Sequence, residues 1–550
     1  MKKKSLLFIL GMVLALGACT TTTTSSSESS GKPSSPSSNS ESGFEYSDDP
    51  FIEHTDDSIP FSTEVNNGLE YSTLGKILGK FSKEEYGYYG GSFNKKLDEP
   101  STTVTTHQEL VDLFDYCAFY KIKEKDVTIN IEGDAIAQCN LAAWDSSMIP
   151  GTVGTLFKEN EDGTINVKFK YVDNANSFVP GDLLNGIYMS YFPYIYDYND
   201  ENKAKITSIP YVGEKELDVH NSDQLIYALT HGYKPVMQNG SPAKKIYDYA
   251  CTILKDIIYK DMNDNEKLLA IEFYLANTTE YDYKSDDTAA FASPYHTVNC
   301  EEISCLLRGF YAEGALFNGG AVCYGYAKAQ ALLSSLLGFQ VKLTHGSTIT
   351  KSSTTNDPLT FNQLTGNIYN AHGINLVRKD DNSKWGICDP TFRSAGTLAG
   401  IGEDEVQFKR HPAVMLSYDF WKETYTTADE AAFRFINSED LLEVSYDFTE
   451  DYHLIGGYSL APRTPEDAAN TFKGIFDTVK KLSGNNSGKR YYIFSLYPVT
   501  SDDEEAIPLI DMYNEAYYNS ELYNTAETVR YVWRKFEYLN SYGYSVYVKY

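Results

Sequence analysis

Two strand-like segments joined by a polar turn constrain the fold of this chain more than any other feature. Segments 370–377 and 384–389 have strand character, and positions 380–383 read Asp-Asp-Asn-Ser, a turn sequence. With the turn centred between positions 380 and 381, His372 and Asp389 are equidistant from it. An in-register hairpin sets such residues directly opposite each other, with Cβ atoms roughly 4.5–5.5 Å apart. The spacing therefore predicts a carboxylate that bonds an imidazole and fixes its tautomer.

The sequence leaves two alternatives to this pairing. One is a purely structural His–Asp pair, and the other is a register slip or one-residue bulge that separates the two side chains. A further histidine, His345, is the competing base. It follows the strand-like segment 340–344 and has no carboxylate at hairpin spacing, so geometry favours His372.

A cysteine at the predicted start of a helix is the second chemical feature. Segment 318–327 leads from a glycine turn into Cys323, segment 328–337 has apolar residues at helical spacing, and Gly338 follows where a helix would end. The positive end of a helix favours thiolate over thiol, and its free N–H groups can hold an oxyanion. The alternative is a small, buried cysteine of the core.

Three motifs together resemble the transglutaminase-like superfamily. They are Gly-Ala-Val-Cys-Tyr-Gly-Tyr-Ala at 320–327, His-Gly-Ile-Asn at 372–375 and Asp-Pro-Thr-Phe at 389–392. The resemblance covers about residues 267–392 and implies an α+β fold with a papain-like transglutaminase core. It also implies acyl-transfer chemistry in which Cys323 is the nucleophile, His372 the base and Asp389 the residue that orients the base. This chemistry requires no metal and no cofactor.

The chain departs from the family at two positions. Gly373 and Ile374 stand where the family usually has Ala-Trp, which changes the wall beside the base. We predict that Tyr324, Gly373 and Ile374 bind the substrate. The resemblance implies a protein or cell-wall peptide substrate and a thioester that is resolved by water or by an amine. The alternative function is a non-catalytic cell-surface binding module that retains the fold.

The N-terminus resembles that of a bacterial lipoprotein precursor. Three lysines at 2–4 precede an apolar stretch at 6–14, and Leu-Gly-Ala-Cys at 16–19 resembles a lipobox. The resemblance implies a signal peptide over 1–19 and a lipid on Cys19 that anchors the protein at the extracellular face of the bacterial cell membrane. The alternative is an ordinary signal peptide with a chance cysteine. No later segment is long and apolar enough to suggest a membrane span.

Composition bears on the next segment and on the partners. Residues 20–48 are rich in Ser and Thr and lack the apolar surface needed for a core, so we predict a disordered linker. The chain has 47 Lys and Arg against 76 Asp and Glu, a formal net charge of −29. Such a charge repels phosphate backbones, which argues against nucleic acid as a partner. A simpler interpretation is that the charge keeps an exported protein soluble.

The remaining residues are predicted to form three domains. These are an N-terminal α+β domain at 49–215, the transglutaminase-like domain with preceding helices at 216–400, and a C-terminal α/β domain at 401–550. Capping sequences predict helices that begin after Thr106, Ser241, Asn263 and Thr464. Alternating patterns predict strands at 127–131, 164–171 and 491–497, and a final pair at 529–536 and 544–550 whose first member could instead be helical.

The number and spacing of the cysteines bear on free thiols, disulfides and metal sites. Eight are present, and setting aside Cys19, which the lipid would occupy, leaves seven, so an exported form has at least one free thiol. Cys300 and Cys305 are candidates for a disulfide, although sequence does not assign connectivity. Together with His296 they show no recognisable metal-ligand spacing, and the chain has no Cys-x-x-Cys pair.

Overall fold

A computed structural model describes residues 92–149, 153–171, 190–192, 204–211, 213–282, 308–317, 319–350, 370–393, 414–418, 421, 431–435, 462–483, 490–496, 507–526, 528–536 and 541–549. Helices and strands are mixed in these ranges, which is compatible with the predicted α+β class. The predicted signal peptide, Cys19, the linker at 20–48, His296, Cys300 and Cys305 lie outside the described residues. Within them, no helix is long and apolar enough to cross a membrane.

The N-terminal part is a sheet with two helices. Its elements are β1 (Thr103–Val104), α1 (His107–Phe119), β2 (Glu124–Ile129), α2 (Ala135–Asp145), β3 (Val153–Glu159) and β4 (Ile165–Tyr171). The strand order is β1-β2-β4-β3, with β1 and β2 parallel and the other pairs antiparallel. Helix α1 begins after Thr106, as predicted, and Thr106 and Glu109 form a capping box there, because each side chain accepts a hydrogen bond from the other's backbone N–H. The strands predicted near 127–131 and 164–171 are confirmed.

A helical region follows. Its elements are β5 (Ser190–Phe192), β6 (Lys215–Asp218), α3 (Ser222–Thr230), β7 (Tyr233–Val236), α4 (Pro242–Ile257) and α5 (Asp264–Thr278). Ser241 caps α4 ahead of a proline at its first position, and Asn263 forms a capping box with Glu266 at α5, as predicted. The apolar face of α4 is buried through Ile246, Tyr249, Ala250, Ile253, Leu254 and Ile257.

The three motifs lie in the next group of elements. These are β8 (Glu280–Tyr281), α6 (Ala312–Leu316), β9 (Gly320–Ala321), α7 (Cys323–Leu336), β10 (Gln340–Thr350), β11 (Asn370–Arg378), β12 (Gly386–Cys388) and β13 (Ala431–Phe435). The antiparallel sheet has the order β12-β11-β10-β13. Every residue of α7 is buried, and the helix contacts both β10 and β11. Gly338 ends the helical segment with φ of 93°, as the glycine there predicts.

The C-terminal part contains α8 (Pro465–Ser483), β14 (Arg490–Leu496), α9 (Leu509–Tyr518), β15 (Thr528–Phe536) and β16 (Ser541–Lys549). Thr464 caps α8, and the final strand pair is an antiparallel hairpin, so the helical alternative for its first member is wrong. Two strands pair across the predicted domain boundaries: β5 pairs with β14, and β13, which lies beyond residue 400, pairs with β10. The three-domain division otherwise stays a prediction.

Candidate active site

Cys323 is the first residue of α7, as the glycine turn before it predicts. The cap residue Val322 is extended, with φ −88° and ψ 176°, and provides no side-chain hydrogen bond. The first amides of an α-helix have no acceptor within the helix, so their N–H groups and the helix dipole surround the sulfur with partial positive charge. Cys323 is only 1% exposed. The location therefore suits a stabilised thiolate, but the thiol is closed off from solvent.

The motif glycine at 325 allows another backbone segment to approach the start of α7. A Cβ on Gly325 would lie 2.1 Å from the carbonyl oxygen of Gly309. The N–H of Val322 donates to that same oxygen over 2.9 Å, and the Tyr326 hydroxyl donates to the carbonyl of Thr279 over 2.7 Å. The residues around Cys323 are thus held from two sides by backbone acceptors.

His372 and Asp389 meet, as predicted, but in a different register. The Nε2 of His372 lies 2.7 Å from Oδ2 of Asp389, and both residues are buried. In the ladder between β11 and β12, Asn375 pairs with Cys388, so Asp389 falls next to Ile374 and lies diagonal to His372. The predicted direct opposition is therefore wrong by two residues.

The turn explains this difference. The N–H of Ser383 donates to the carbonyl of Asp380 over 3.0 Å, which closes a four-residue turn and moves its centre to between positions 381 and 382. The slip is an even number of residues, so both side chains stay on the same face of the sheet. Diagonal neighbours remain within reach of long side chains, and the hydrogen bond survives.

The electrostatics of the pair favour a charged imidazole. Burial lowers the pKa of His372, but the charge and hydrogen bond of Asp389, together with the hydrogen bond and charge of Cys323, raise it to about 10. Because a carboxylate only accepts, Nε2 carries the proton directed at Asp389. Nδ1 is then the ring nitrogen left for the Cys323 sulfur. The three predicted catalytic residues are therefore brought together.

Asn375 of the second motif ties the histidine strand to the cysteine helix. Its Nδ2 donates to the carbonyl oxygen of Ala327 over 2.8 Å and to Oε1 of Gln330 over 2.9 Å. Both acceptors belong to α7. Because Asn375 is three residues after His372 and Ala327 is four residues after Cys323, this link fixes the position of the His372 imidazole relative to the Cys323 thiol.

Trp421 is a site residue that the sequence reasoning missed. Its Nε1 donates to Oδ2 of Asp389 over 3.2 Å, and its ring stacks on His372 with centroids 6.4 Å apart and planes 10° apart. It is completely buried. An antiparallel bridge between Ile387 and Leu416 brings the preceding segment beside β12. The spacing of Trp421 from the three motifs does not indicate a role in the site. The one sequence feature that could have drawn attention to it is the scarcity of tryptophan, with four in the chain.

The predicted substrate-binding residues are buried. Ile374 is 0% exposed and belongs to the core, so in this conformation its side chain has no surface for a substrate to contact. Tyr324 is 4% exposed. A Cβ on Gly373 would lie 3.1 Å from Cδ1 of Tyr324 and 3.3 Å from Cδ2 of His345, so the missing side chain makes room for both rings. A role for Tyr324 and Gly373 in substrate binding stays a prediction.

His345 interacts with a residue other than the thiol. It lies within β10, and its Nδ1 is 3.2 Å from the backbone oxygen of Asp145 at the end of α2. This geometry leaves His372 as the imidazole that interacts with Cys323. No group of three or more His, Cys, Asp or Glu side chains in the described ranges is arranged to hold a metal ion.

The other described cysteines differ from Cys323 in their surroundings. Cys117, Cys139, Cys251 and Cys388 are free and buried, and burial raises the pKa of each thiol. Cys323, in contrast, has an imidazole partner that is bonded to a carboxylate. No protein-family model matches the chain, and a search of curated proteins finds no match.

Proposed function

We propose that this protein is a thiol acyl-transfer enzyme of the transglutaminase-like, papain-like type. Cys323 is the nucleophile, His372 the base and acid, and Asp389 the residue that orients His372. The observation that carries the proposal is the 2.7 Å bond between Nε2 of His372 and Oδ2 of Asp389, on an imidazole whose pKa Cys323 also raises. Covalent acyl transfer uses a nucleophile that contacts a base, and a carboxylate that bonds and orients that base.

The first step forms a thioester. The thiolate of Cys323 attacks the carbonyl carbon of a carboxamide or peptide, and the resulting oxyanion accepts hydrogen bonds from the first-turn N–H groups of α7. As the tetrahedral intermediate collapses, the C–N bond breaks and the imidazolium of His372 gives its Nδ1 proton to the departing nitrogen. The products are an acyl-Cys323 thioester and a free amine or ammonia.

The second step regenerates the thiolate. Neutral His372 accepts a proton from water or from an acceptor amine, which attacks the thioester carbon and displaces sulfur. Water gives a carboxylic acid, and an amine gives a new amide. Asp389 remains ionised throughout and stabilises the imidazolium. Hydrolase and transferase activities therefore share every residue and differ only in the second nucleophile.

The proposed substrate and location rest on the sequence alone. We propose a protein or cell-wall peptide substrate, because a carboxamide or peptide carbonyl is what the thiolate would attack. The lipobox-like sequence ending at Cys19 supports a lipid anchor at the extracellular face of the bacterial cell membrane. The net charge of −29 supports a partner other than nucleic acid.

A second candidate function is a non-catalytic surface module that retains this fold. Burial of the triad favours it, because Cys323 is 1% exposed and His372 5% exposed. An enzyme of this construction has to open before a peptide can reach the sulfur. A binding module needs no such opening and would use other surfaces.

Alkylation of Cys323 by iodoacetamide separates the two functions. We expect wild-type Cys323 to react at pH 6, where an ordinary thiol with a pKa near 8.5 is almost entirely protonated, because the His372 imidazolium stabilises the thiolate. The matched variant His372→Gln removes the cation and retains a polar side chain, so its alkylation at pH 6 should fall to the rate of an ordinary thiol. Peptide mapping assigns the label to Cys323 rather than to Cys388.

Activity is then measured on a peptide library, with Cys323→Ala as the blank. A glutamine-containing donor with an amine tracer detects transfer, and release of ammonia without tracer incorporation detects hydrolysis. Slow alkylation that is the same in wild type and His372→Gln, with no turnover lost in Cys323→Ala, would overturn the enzyme proposal in favour of the binding module.

A further inference from the structure

A second buried histidine–carboxylate cluster lies beside the proposed site. Nε2 of His107 lies 3.0 Å from Oδ2 of Asp145, the last residue of α2. Nδ1 of His345 lies 3.2 Å from the backbone oxygen of Asp145 and 3.8 Å from its Oδ1. His345 and Asp145 are buried, and together with His107 they join the N-terminal helices to the sheet that carries His372.

The cluster is electrostatically tight. Burial raises the pKa of Asp145, but the hydrogen bonds and charges of His107 and His345 lower it to about 2. Asp145 is therefore a persistent anion at any moderate pH. Because the backbone carbonyl of Asp145 accepts from Nδ1 of His345, the ring is held in one orientation. Its Nε2 is buried and has no hydrogen-bond partner among the residues that the structure describes.

The His345 ring contacts the residue next to the nucleophile. It stacks on Tyr324 with centroids 4.9 Å apart and planes 29° apart, and Phe310 stacks on Tyr324 at 5.9 Å. Gly373 lies against both the Tyr324 and His345 rings, where a Cβ would be 3.1 and 3.3 Å from them. The Tyr324 ring is thus enclosed by the His345 imidazole, the Phe310 ring and the bare backbone of β11 at Gly373. Tyr324 directly follows Cys323, and Gly373 directly follows His372.

We propose that Asp145 and His345 are positioning residues for the thiol site. Asp145 orients His345, His345 holds the Tyr324 ring against Gly373, and this packing sets the first turn of α7 relative to His372. The inference rests on the proposed function, since this positioning affects catalysis only where Cys323 and His372 are catalytic residues. It makes the N-terminal helices part of the functional unit, since one of them supplies the carboxylate.

The test combines Asp145→Asn with a matched control. Asp145→Asn keeps the backbone carbonyl that bonds His345 and removes the negative charge that lies 3.8 Å from Nδ1 of His345 and pairs with His107, so it tests the carboxylate separately from the backbone hydrogen bond. Asp218→Asn makes the same chemical change at another buried carboxylate of the chain, one that accepts from the backbone N–H of Lys95 away from this cluster. We expect alkylation of Cys323 per folded molecule to slow about tenfold in Asp145→Asn, since small displacements of reacting groups are costly, and to stay unchanged in Asp218→Asn.

A double-mutant cycle distinguishes positioning from a general loss of stability. Tyr324→Ala should slow alkylation as Asp145→Asn does, and the double variant should be no slower than Tyr324→Ala alone, because both act through one ring. His345→Gln, whose amide can still donate to the Asp145 carbonyl, should recover part of the rate that His345→Ala loses. Additive effects, or equal slowing in Asp218→Asn, would overturn the proposal.

Failure of the proposed function is separately visible. If wild-type Cys323 is itself unreactive, the enzyme proposal fails, and hydrogen exchange of the first-turn amides of α7 then tests the positioning alone. Faster exchange in Asp145→Asn than in Asp218→Asn supports it, and equal exchange contradicts it. If the wild type is reactive and Asp145→Asn is equally reactive, only the positioning inference fails.

Discussion

Both hydrogen bonds received by Asp389 end on one of its oxygens: Nε2 of His372 at 2.7 Å and Nε1 of Trp421 at 3.2 Å both point to Oδ2. The other oxygen, Oδ1, is buried and has no hydrogen-bond partner in the described part of the chain. An amide whose oxygen occupies the Oδ2 position can therefore accept both bonds. Asparagine can thus keep the geometry of both bonds without the charge, although its amide N–H groups at the buried Oδ1 position would lack an acceptor among the described residues, at a cost of about 1–3 kcal/mol.

Asp389→Asn should consequently keep the fold and lose activity. Without the carboxylate charge, the His372 imidazolium is less stable. The proposed thiolate then loses its counter-ion, and His372 accepts a proton less readily. We expect kcat/KM on any peptide found to be a substrate to fall about 10²-fold or more, within the range of general acid–base contributions. Circular dichroism of the variant should match the wild type, and a variant with undiminished kcat/KM would contradict the role given to Asp389.

The part of the alkylation rate that depends on the His372 imidazolium should have its upper pH limit near the pKa of His372, about 10, whereas the free thiolate still reacts above that value. Thiolate reactivity supported by the imidazolium is present below that value and is lost as pH rises through it. Asp389→Asn removes a group that raises the pKa of His372, so the limit should move to lower pH. The measurement is the alkylation rate between pH 5 and 11, from which the His372→Gln profile is subtracted. The same upper pH limit in wild type and Asp389→Asn would contradict the prediction.

Stability should follow the same titration with a defined sign. The folded-state pKa of His372 lies above that of an unfolded histidine, about 6.5, so its contribution is complete below that value. It declines as pH rises and is gone above about 10. Urea unfolding of the wild type should therefore show a loss of free energy between pH 7 and 10 that His372→Gln lacks. Parallel curves for the two proteins would show that the pair does not stabilise the fold.

Trp421→Phe removes the indole hydrogen bond together with part of a fully buried ring, while phenylalanine retains a ring to stack on His372. Removing one donor from a buried carboxylate should lower the free energy of unfolding by about 1–3 kcal/mol. The control is Trp385→Phe on the β11–β12 hairpin, where the Trp385 ring packs against Arg378 at 4.5 Å and is only half-buried. Its expected cost is below about 1 kcal/mol. Urea unfolding of both variants provides the comparison, and equal costs would argue against the Trp421 bond.

Local signals in the sequence predicted most of the site. The turn at 380–383, the glycines around Cys323 and the helix caps act within a few residues, so their outcome is visible in the chain itself. The register was wrong by two because alternation repeats every two residues and gives the same faces after such a slip. Trp421 and Asp145 were missed because their contacts join residues 32 and 200 positions apart, to Asp389 and His345. No periodic pattern reports such tertiary contacts.

Two glycines of the first motif test how tightly the start of α7 is packed. A Cβ on Gly325 would lie 2.1 Å from the Gly309 oxygen and 3.0 Å from both Ala321 Cβ and the Tyr311 oxygen, so backbone has to move. A Cβ on Gly320 would meet only Asp282, at 3.7 Å, an ordinary van der Waals contact. The two substitutions to alanine add the same atom to the same motif in opposite surroundings.

We expect Gly325→Ala to destabilise the protein by about 3 kcal/mol or more, at the upper end for overpacking, because the obstructing atom is a backbone oxygen rather than a flexible side chain. Gly320→Ala should cost less than about 1 kcal/mol. Thermal and urea unfolding of the two variants measure this difference. The displaced Gly309 segment also bonds Val322, the residue before the thiol, so Gly325→Ala should slow Cys323 alkylation even in the folded fraction. A Gly325→Ala protein with wild-type stability and wild-type alkylation would show that this close approach does not position Cys323.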